Sequence, residues 1–311
     1  MIGQGGRAWA INFVGQVAGG AATRLTEPRS SWSTVTYDAW RAFLWTPASA
    51  TSAAQMTDLG VIGTRGYDPA SNSGLRSEAF ALNDSGHAVG YAEASGRDEY
   101  GYTILGYTVL FRDGQIVPLP LSGASGINNS DCVVGRADEF IPDSFGGGYQ
   151  PRPAAWDSVN GLTLLGSNYG EALGINKNGE IAGYMCDGRV NALGEDLITP
   201  FFRDSLGTMH WLPLVDGQNS GWPWALNNND QVVGVSSFYF NNSENNFRAF
   251  IWDSADGTRD LNDLIPANSG WVLEQARGIN DNGEIVGTGT LNGEPRAFLL
   301  RPLSGTTATG E

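Results

Sequence analysis

The sequence predicts an all-β fold, a six-bladed β-propeller with four-stranded antiparallel blades, and three observations support this prediction. One short motif occurs six times, the chain contains 43 glycines among 311 residues, and no stretch has the 3.6-residue apolar period of a helix. The repeated motif sets the fold class, and the high glycine content suits the many turns of an all-β chain.

The motif is clearest in residues 279–287, which read Ile-Asn-Asp-Asn-Gly-Glu-Ile-Val-Gly. Asn and Gly accept the positive φ of tight hairpin turns, so each copy predicts a turn between two short strands, which we name A and B. The earlier copies begin at Ile11, Leu82, Ile127, Ile175 and Leu226.

Two further apolar runs complete each repeat as strands C and D. Strand C carries an aromatic sequence such as Ala249-Phe250-Ile251-Trp252, and strand D ends near a leucine. Those leucines are Leu59, Leu119, Leu165, Leu212 and Leu261. Between the last five copies the period is about 45 to 53 residues, which fits one four-stranded blade per repeat.

The hairpin motif, the Ala-Phe-(Leu/Ile)-Trp strand and the ending at residues 260–265, followed by Gly270-Trp271, resemble the HAF-repeat proteins over nearly the whole chain. The resemblance implies a secreted bacterial β-repeat protein of the extracellular space. It implies no activity. The histidine that gives the family its name is replaced by Arg41, Arg248 and Arg296, so no role is assigned to it.

The composition narrows the choice of partners and compartment. A net charge of −15 repels nucleic acid and anionic membranes, and we expect neither nucleic-acid binding nor membrane insertion. Cys132 and Cys186 fall about 20 Å apart along aligned strands, which predicts two free thiols. The sequence shows no signal peptide, and we expect a secreted monomer whose leader lies outside these 311 residues.

The chain begins just before strand A of the first repeat and ends after strand C of the sixth. We therefore expect one domain over residues 1–303, with a flexible tail at residues 304–311. Residues 1–5 are predicted to supply the missing strand D of the last blade, because propellers commonly close by sharing a blade between the two termini.

The connections predict which face carries function. The A–B turns are short in all six repeats, whereas the B–C and D–A connections are long and varied. We predict long loops at residues 21–41, 61–77, 94–107, 140–152, 187–199, 215–221 and 238–247. Binding sites concentrate on such loops, so the site is expected at the channel mouth on this face.

The first residues of strand A, at that mouth, differ from repeat to repeat. Glu78, Glu171 and Glu274 are the candidate catalytic carboxylates, because converging carboxylates can supply an acid and a base. Glu78 and Glu171 are also candidate ligands for Ca²⁺, which takes six to eight oxygens. The alternative is a solvated rim of charges paired with Arg7 and Arg277.

Further polar and aromatic residues fall at the same face and are predicted to bind the ligand. They are Arg7, Tyr91, Glu93, Arg136, Asp138, Tyr184, Trp222 and Arg277. Aromatic rings beside carboxylates can stack on a sugar or an aromatic ester. The alternative for the tyrosines is packing between blades.

The six motif asparagines form a ring by symmetry. Their amide oxygens can bind a cation, but capping of each local turn by its own asparagine is the favoured interpretation. They are Asn12, Asn83, Asn128, Asn176, Asn227 and Asn280.

The leading functional prediction is a hydrolase of an ester, phosphoester or glycosidic bond, with a carboxylate-lined and Ca²⁺-dependent site. It rests on the acidic mouth and on analogy with calcium-dependent hydrolases that share the fold. The alternative is a non-catalytic module that binds an extracellular glycan or a protein partner. A purely structural envelope protein is a third interpretation. His87 and His210 both fall at the face of short turns, which argues against a histidine-activated nucleophile.

Overall fold

The computed structural model describes residues 2–30, 33–62, 67–68, 73–95, 104–141 and 147–303. The all-β prediction is confirmed, because the regular structure of these ranges consists of strands and one turn of 3-10 helix at Leu261–Leu264. No helix in them is long and apolar enough to cross a membrane. The predicted flexible tail, residues 304–311, lies outside the described residues.

The chain divides into two compact units, Met1–Leu165 and Gly166–Glu311. Unit 1 contains three four-stranded antiparallel sheets, named sheets 1 to 3 in chain order. Sheet 1 consists of β1 (Ile2–Ile11), β2 (Val17–Ser30), β3 (Ser33–Thr46) and β4 (Gln55–Asp58). A two-stranded pair follows, β5 (Tyr67–Asp68) with β6 (Ser73–Gly74). Sheet 2 consists of β7 (Ser77–Leu82), β8 (Ala88–Ser95), β9 (Ile104–Arg112) and β10 (Gln115–Pro118). Sheet 3 consists of β11 (Gly123–Ile127), β12 (Val133–Ile141), β13 (Gly148–Asp157) and β14 (Gly161–Leu164).

Unit 2 contains two more four-stranded sheets and one three-stranded sheet. Sheet 4 consists of β15 (Gly170–Ile175), β16 (Ile181–Val190), β17 (Asp196–Arg203) and β18 (Met209–Trp211). Sheet 5 consists of β19 (Ser220–Leu226), β20 (Val232–Phe240), β21 (Ser243–Asp253) and β22 (Gly257–Asp260). Sheet 6 consists of β23 (Trp271–Ile279), β24 (Ile285–Leu291) and β25 (Glu294–Leu300).

Sheets 1 to 5 follow the predicted order of strands A, B, C and D, and sheet 6 follows it for A, B and C among the described residues. The leucine after strand D is tied to strand C: the amide of Leu59 donates to the Ala42 carbonyl at 2.9 Å, and Leu212 donates to Pro200 at 2.9 Å. Leu212 is almost fully buried. In sheets 1 and 4 this leucine therefore extends the pairing with strand C, and Leu212 also fills the core beside it.

Every strand A contains a β-bulge two residues before its copy of the motif begins. In β7 the register passes from Ala79, opposite Gly90, to Ala81, opposite Val89, so that Phe80 is the extra residue. The same shift occurs in the other five sheets. A bulge redirects the inserted side chain and sharpens the local twist. The inserted residues are Trp9, Phe80, Ser125, Leu173, Trp224 and Arg277.

The bulge explains the invariant glycine of the motif. A Cβ built on Gly90 would lie 1.9 Å from the Glu78 carbonyl oxygen and 2.9 Å from the Ala79 Cα. Backbone atoms cannot withdraw as a flexible side chain can, so only glycine fits. The equivalent Cβ on Gly183 would lie 2.5 Å from the Glu171 carbonyl oxygen.

The motif asparagines cap their own turns. The Oδ1 of Asn83 accepts hydrogen bonds from the amides of Ser85 and His87, both at 3.0 Å. Asn176 does the same for Asn178 and Glu180. The favoured interpretation is thus confirmed, since these amide oxygens already accept two backbone hydrogen bonds each.

The same asparagines also join neighbouring sheets, which the sequence did not reveal. In unit 1, Nδ2 of Asn12 donates to the Asn83 carbonyl at 2.9 Å, and Nδ2 of Asn83 donates to the Asn128 carbonyl at 3.0 Å. In unit 2, Asn176 donates to Asn227 and Asn227 to Asn280. One buried side chain therefore serves both the turn and the contact between sheets.

The prediction that residues 1–5 complete the last sheet is wrong. Residues 2–5 belong to β1, where Ile2 lies opposite Thr23 in β2, and sheet 6 has three strands among the described residues. Pairing within a hairpin closes a loop of a few residues, whereas pairing with β25 would close nearly the whole chain. The local pairing has the smaller entropic cost.

Several predicted B–C loops are instead extensions of the hairpin. In unit 2, β16 and β17 continue to Val190 and from Asp196, around a turn whose cap is Asn191. Asn191 Oδ1 accepts from the amides of Leu193 and Glu195, as the motif asparagines do in their own turns. The sequence 191–195, Asn-Ala-Leu-Gly-Glu, is therefore another copy of the turn at the opposite end of the sheet.

A candidate ligand-binding cleft

Unit 1 contains a cleft of ≈ 470 Å³ between sheets 1 and 2. Four of its residues were singled out from the sequence, and three were not. The predicted ones are Arg7, Glu78, Tyr91 and Glu93, and the others are Trp40, Arg76 and Ser77. The cleft therefore combines two carboxylates, two guanidinium groups and two aromatic rings.

Strand register brings these side chains together. Glu78 on β7 lies directly opposite Tyr91 on β8, and Arg7 on β1 lies opposite Gly20 on β2. Side chains two residues apart on a strand share a face, which places Glu93 beside Tyr91. Ser77, which is fully buried, accepts a hydrogen bond from the Ala42 amide at 3.0 Å and ties β7 to β3.

Glu78 is held by a neighbour from the inner strand of sheet 1. The indole Nε1 of Trp9 donates to Glu78 Oε1 at 2.6 Å. Trp9 is 52% exposed and packs edge-on against Phe80, with ring centroids 6.4 Å apart and Phe80 38% exposed. Both rings are residues inserted by the bulge, so the bulge sets an exposed aromatic pair next to a carboxylate.

Trp40 reaches the cleft because residue 20 is glycine. A Cβ at Gly20 would lie 2.2 Å from Trp40 Nε1 and 3.0 Å from Glu78 Cγ. The guanidinium of Arg7 lies over the Trp40 ring, with its carbon 6.0 Å from the centroid. A charged group near a ring face in a cleft wall is a weak but favourable contact.

Tyr91, Glu93 and Arg76 form the other wall. The Tyr91 hydroxyl donates to Glu93 Oε1 at 3.2 Å, and the Arg76 amide donates to Glu93 Oε2 at 2.7 Å. Burial, the negative charge of Glu93 and the hydrogen bond to it raise the pKa of Tyr91 to about 12. Tyr91 therefore stays protonated near neutral pH and acts as a hydrogen-bond donor.

In unit 2, two predicted residues, Tyr184 and Trp222, belong to an aromatic group with Tyr169, and Glu171 lies next to it in the strand register. Glu171 on β15 lies opposite Tyr184 on β16, as Glu78 lies opposite Tyr91. The Tyr184 ring lies 6.3 Å from those of Tyr169 and Trp222, measured between centroids.

The remaining predicted residues lie elsewhere. The guanidinium of Arg277 stacks over the Trp224 ring at 4.3 Å, and burial lowers its pKa. Glu274 occupies a second register shift in β23, and β19 packs against both this strand and β15, which carries Glu171. In sheet 3, Arg136 and Asp138 are exposed, and Asp138 accepts a hydrogen bond from Ser122 at 2.9 Å.

The described residues contain no group of three or more His, Cys, Asp or Glu side chains that could hold a metal ion. Within the cleft of unit 1, Glu78 and Glu93 accept hydrogen bonds from Trp9, Tyr91 and the Arg76 amide. Calcium needs six to eight oxygen ligands, a larger set than these two carboxylates offer. Calcium binding at Glu78 and Glu171 stays a prediction. Cys132 and Cys186 are thiols that form no disulfide, as predicted.

Sequence reasoning missed Trp40, Arg76 and Trp9. Arg76 precedes strand A by one residue, and Trp40 precedes the aromatic run of strand C by two residues. The signal available for Trp9 was its place between two small residues, Ala8 and Ala10. The bulge at that place, which turns the side chain outward, appears only in the strand register.

Comparison with known proteins supports the architecture. Residues 166–300 match the model of a family described as a protein of unknown function, DUF3466. No curated protein matches the chain. Among solved structures, the β-propeller domain of the Trilobed protease from Pyrococcus furiosus, described as having an open velcro topology, is similar with a TM-score of 0.51 and 8% identity. The match covers 96% of this chain and 82% of that one.

The chain has a β-propeller fold. At 8% identity the similarity concerns the fold alone, and the protease's activity does not transfer with it. The family matched by residues 166–300 is described as of unknown function, so this match implies no activity. Membership of the HAF-repeat family stays a prediction.

Proposed function

We propose that the protein is an extracellular β-propeller binding module that holds a glycan residue in the cleft lined by Arg7, Trp40, Glu78, Tyr91 and Glu93. The six sheets are, in this proposal, the six blades of one propeller. The single observation that carries the function is that Arg7, Glu78, Tyr91 and Glu93, all predicted from their positions in the repeat, line one cleft. Trp40 lines the same cleft, where it has room because residue 20 is glycine.

The chemistry of the cleft suits a sugar ring. A pyranose presents an apolar face, which stacks on aromatic rings, and hydroxyl groups around its edge, which bond to charged side chains. Trp40 and Tyr91 supply rings, while Glu78 and Glu93 supply acceptors. Arg7 and Arg76 supply donors. The exposed pair Trp9 and Phe80 extends the aromatic surface at the edge of Glu78.

The hydrogen-bond partners of Glu78 and Glu93 favour ligand binding over hydrolysis. Glu93 is fixed by the Arg76 amide and the Tyr91 hydroxyl, and Glu78 by the Trp9 indole. Tyr91, with its pKa raised to about 12, is a poor general base near neutral pH. Acceptors and donors held in this way can position a ligand without taking part in a reaction.

The test is a screen of immobilised oligosaccharides, followed by isothermal titration calorimetry with the tightest soluble ligand. Glu78→Gln keeps an acceptor for the Trp9 indole but loses the charge that bonds sugar hydroxyls. We expect it to weaken binding about tenfold, the effect of one hydrogen bond to a charged group.

Glu171→Gln is the matched control. Glu171 also lies opposite a tyrosine in its sheet, but it is not among the residues that line the cleft. It should change the affinity less than about twofold. The oligosaccharides are also incubated with the protein, with added Ca²⁺ and with chelator. Cleavage of the bound sugar would replace the binding module with the hydrolase. Absence of glycan binding, or equal losses in both variants, would contradict the proposal.

A further inference from the structure

Unit 2 contains a second cleft, of ≈ 460 Å³, whose residues fall partly in the predicted loops 187–199 and 215–221 but were not predicted as site residues. Its walls come from the ends of β16 and β17 and from residues 211–218, which connect β18 with β19. We infer that this cleft binds a cationic group on an apolar stem, such as an arginine or lysine side chain of a peptide. This site is independent of the glycan cleft.

One wall is a rigid, internally satisfied network. The Arg189 Nε donates to Asp187 Oδ2 at 2.7 Å, and the Arg189 amide donates to Asp187 Oδ1 at 3.0 Å. Buried Thr199 donates its hydroxyl to Asp187 at 2.7 Å and accepts a hydrogen bond from Arg189 Nη2. Burial opposes the charge of Asp187, but these hydrogen bonds prevail and keep its pKa below the ordinary value. Arg189 and Asp187 thus cancel each other's charge.

The opposite wall presents two acceptors without donors. Gln218 lines the cleft, and its Oε1 is buried without a hydrogen-bond partner among the described residues. A buried acceptor left unsatisfied costs about 1–3 kcal/mol, and a donor on a ligand recovers this free energy once the Gln218 side chain turns its amide oxygen into the cleft. Asp216 lines the same cleft, is exposed, and pairs with no described residue.

The charge balance selects a cation. After Asp187 and Arg189 cancel, Asp216 leaves the lining with a net negative charge. The Gln218 oxygen also calls for a hydrogen-bond donor. A guanidinium or ammonium group supplies both the charge and the donors. The net charge of −15 on the whole chain attracts such a ligand at long range.

The apolar part of the cleft suits the methylene stem. Trp211 is 46% exposed, and Pro213 and Leu214 lie near it in the lining. Arginine and lysine side chains pack their stems along apolar surface while the charged head meets polar partners. An exposed tryptophan beside the acceptors also offers a ring face to the cation.

The experiment compares two nearly isosteric probes, N-acetyl-arginine amide and N-acetyl-citrulline amide, by ¹H–¹⁵N NMR titration of the full chain. We expect saturable shifts at residues 211–218 with the arginine probe and at least about tenfold weaker binding of the neutral probe. Asp216→Asn should weaken the arginine probe roughly three- to fivefold, as for a partly exposed ion pair. Gln218→Leu should weaken it about tenfold.

Asp263→Asn is the control, since Asp263 is an exposed residue of unit 2 outside the cleft. It makes the same change in net charge and should change binding less than about twofold. Equal affinity for the two probes would overturn the inference. So would a missing shift at residues 211–218, or an effect of Asp216→Asn no larger than that of Asp263→Asn. Because Asp216 is exposed, that variant tests the site even where Gln218→Leu fails to fold.

Discussion

Sheet 2 and sheet 4 carry the same pair of residues in the same register, but the pair of sheet 2 lines the cleft of unit 1, whereas the tyrosine of sheet 4 packs against aromatic rings. Glu78 faces Tyr91 in sheet 2, and Glu171 faces Tyr184 in sheet 4. Tyr91 is hydrogen-bonded to Glu93, whereas Tyr184 is surrounded by Tyr169 and Trp222. The residue at the position of Glu93 is Cys186 in sheet 4.

The difference lies in the neighbours that the repeat does not specify. Tyr91 has room because residue 106, on the adjacent strand, is glycine, and a Cβ there would lie 2.2 Å from the Tyr91 hydroxyl. Burial and the nearby charges of Asp196 and Asp187 raise the pKa of the Cys186 thiol to about 11, so it supplies no charge. One scaffold position thus becomes a polar cleft or an aromatic contact, according to two or three neighbouring side chains.

The two sheets differ again at their turn ends. In sheet 2, His87 Nδ1 lies 2.8 Å from Asp131 Oδ1 of sheet 3. In sheet 4 the equivalent residue is Glu180, and Asp230 of sheet 5 lies beside it as a hydrogen-bonding partner. Two carboxyl groups that share one hydrogen bond must also share a proton.

The largest expected effect tests the part that the two sheets share. Gly90→Ala should lower the free energy of unfolding by about 3 kcal/mol, because its Cβ would overlap the Glu78 carbonyl oxygen. Gly183→Ala should cost less, since the corresponding distance is 2.5 Å against 1.9 Å. Urea unfolding followed by tryptophan fluorescence measures both.

Gly148→Ala is the control for these variants. A Cβ at Gly148 meets nothing within 4 Å, and its φ is not positive, so we expect a change within about 0.5 kcal/mol. If Gly90→Ala were as stable as the control, the backbone at the bulge in β7 could move away from the added Cβ at little cost in free energy. The common scaffold would then not explain the invariant glycine.

The intermediate effect is a pH dependence confined to sheets 4 and 5. The hydrogen bond to Glu180, burial and the repulsion by its charge raise the pKa of Asp230 to about 6, from 3.8 for a free side chain. The protonated form is therefore favoured by folding. Its contribution to stability is complete below about pH 4 and is lost as pH rises through about 6.

Asp230→Asn should remove this loss, which we place at about 1 kcal/mol because the pair is partly solvated. The measurement is the free energy of unfolding at intervals from pH 4 to 7, for the wild type and the variant. Burial opposes the charge of Glu180, but its hydrogen bonds keep its pKa low. Parallel curves for the two proteins would contradict the shared proton.

The smallest effect separates the two tyrosines. Tyr91→Phe removes the hydroxyl that donates to Glu93. We expect the free energy of unfolding to fall by about 0.5–1.5 kcal/mol and the affinity for the glycan ligand to decrease. Tyr184→Phe keeps the ring that contacts Trp222 and should leave glycan affinity unchanged. Calorimetric titration of both variants decides it. Equal glycan affinities of the Tyr91→Phe and Tyr184→Phe variants would show that the Tyr91 hydroxyl does not contribute to binding.

The sequence alone determined the all-β class, the order of strands A to D, the asparagine-capped turns and four residues of the cleft. These follow from short-range chemistry: Asn and Gly at positive φ set the hairpins, and period-two alternation sets which residues face together. The pairing of Glu78 with Tyr91 did not follow from the hairpin alone, because the register without the bulge would place Glu78 opposite Ala92.

Only the tertiary structure decided where Trp40 and Arg76 lie, that β1 keeps residues 2–5, and that residues 211–218 form a second cleft. Each depends on contacts between distant segments, whose closeness no local pattern encodes. Gly20 is an example: its Cβ position collides with Trp40, twenty residues away, and so its purpose appears only when both strands are packed. Tertiary contacts therefore determine which of the equivalent positions in the repeat line a cleft.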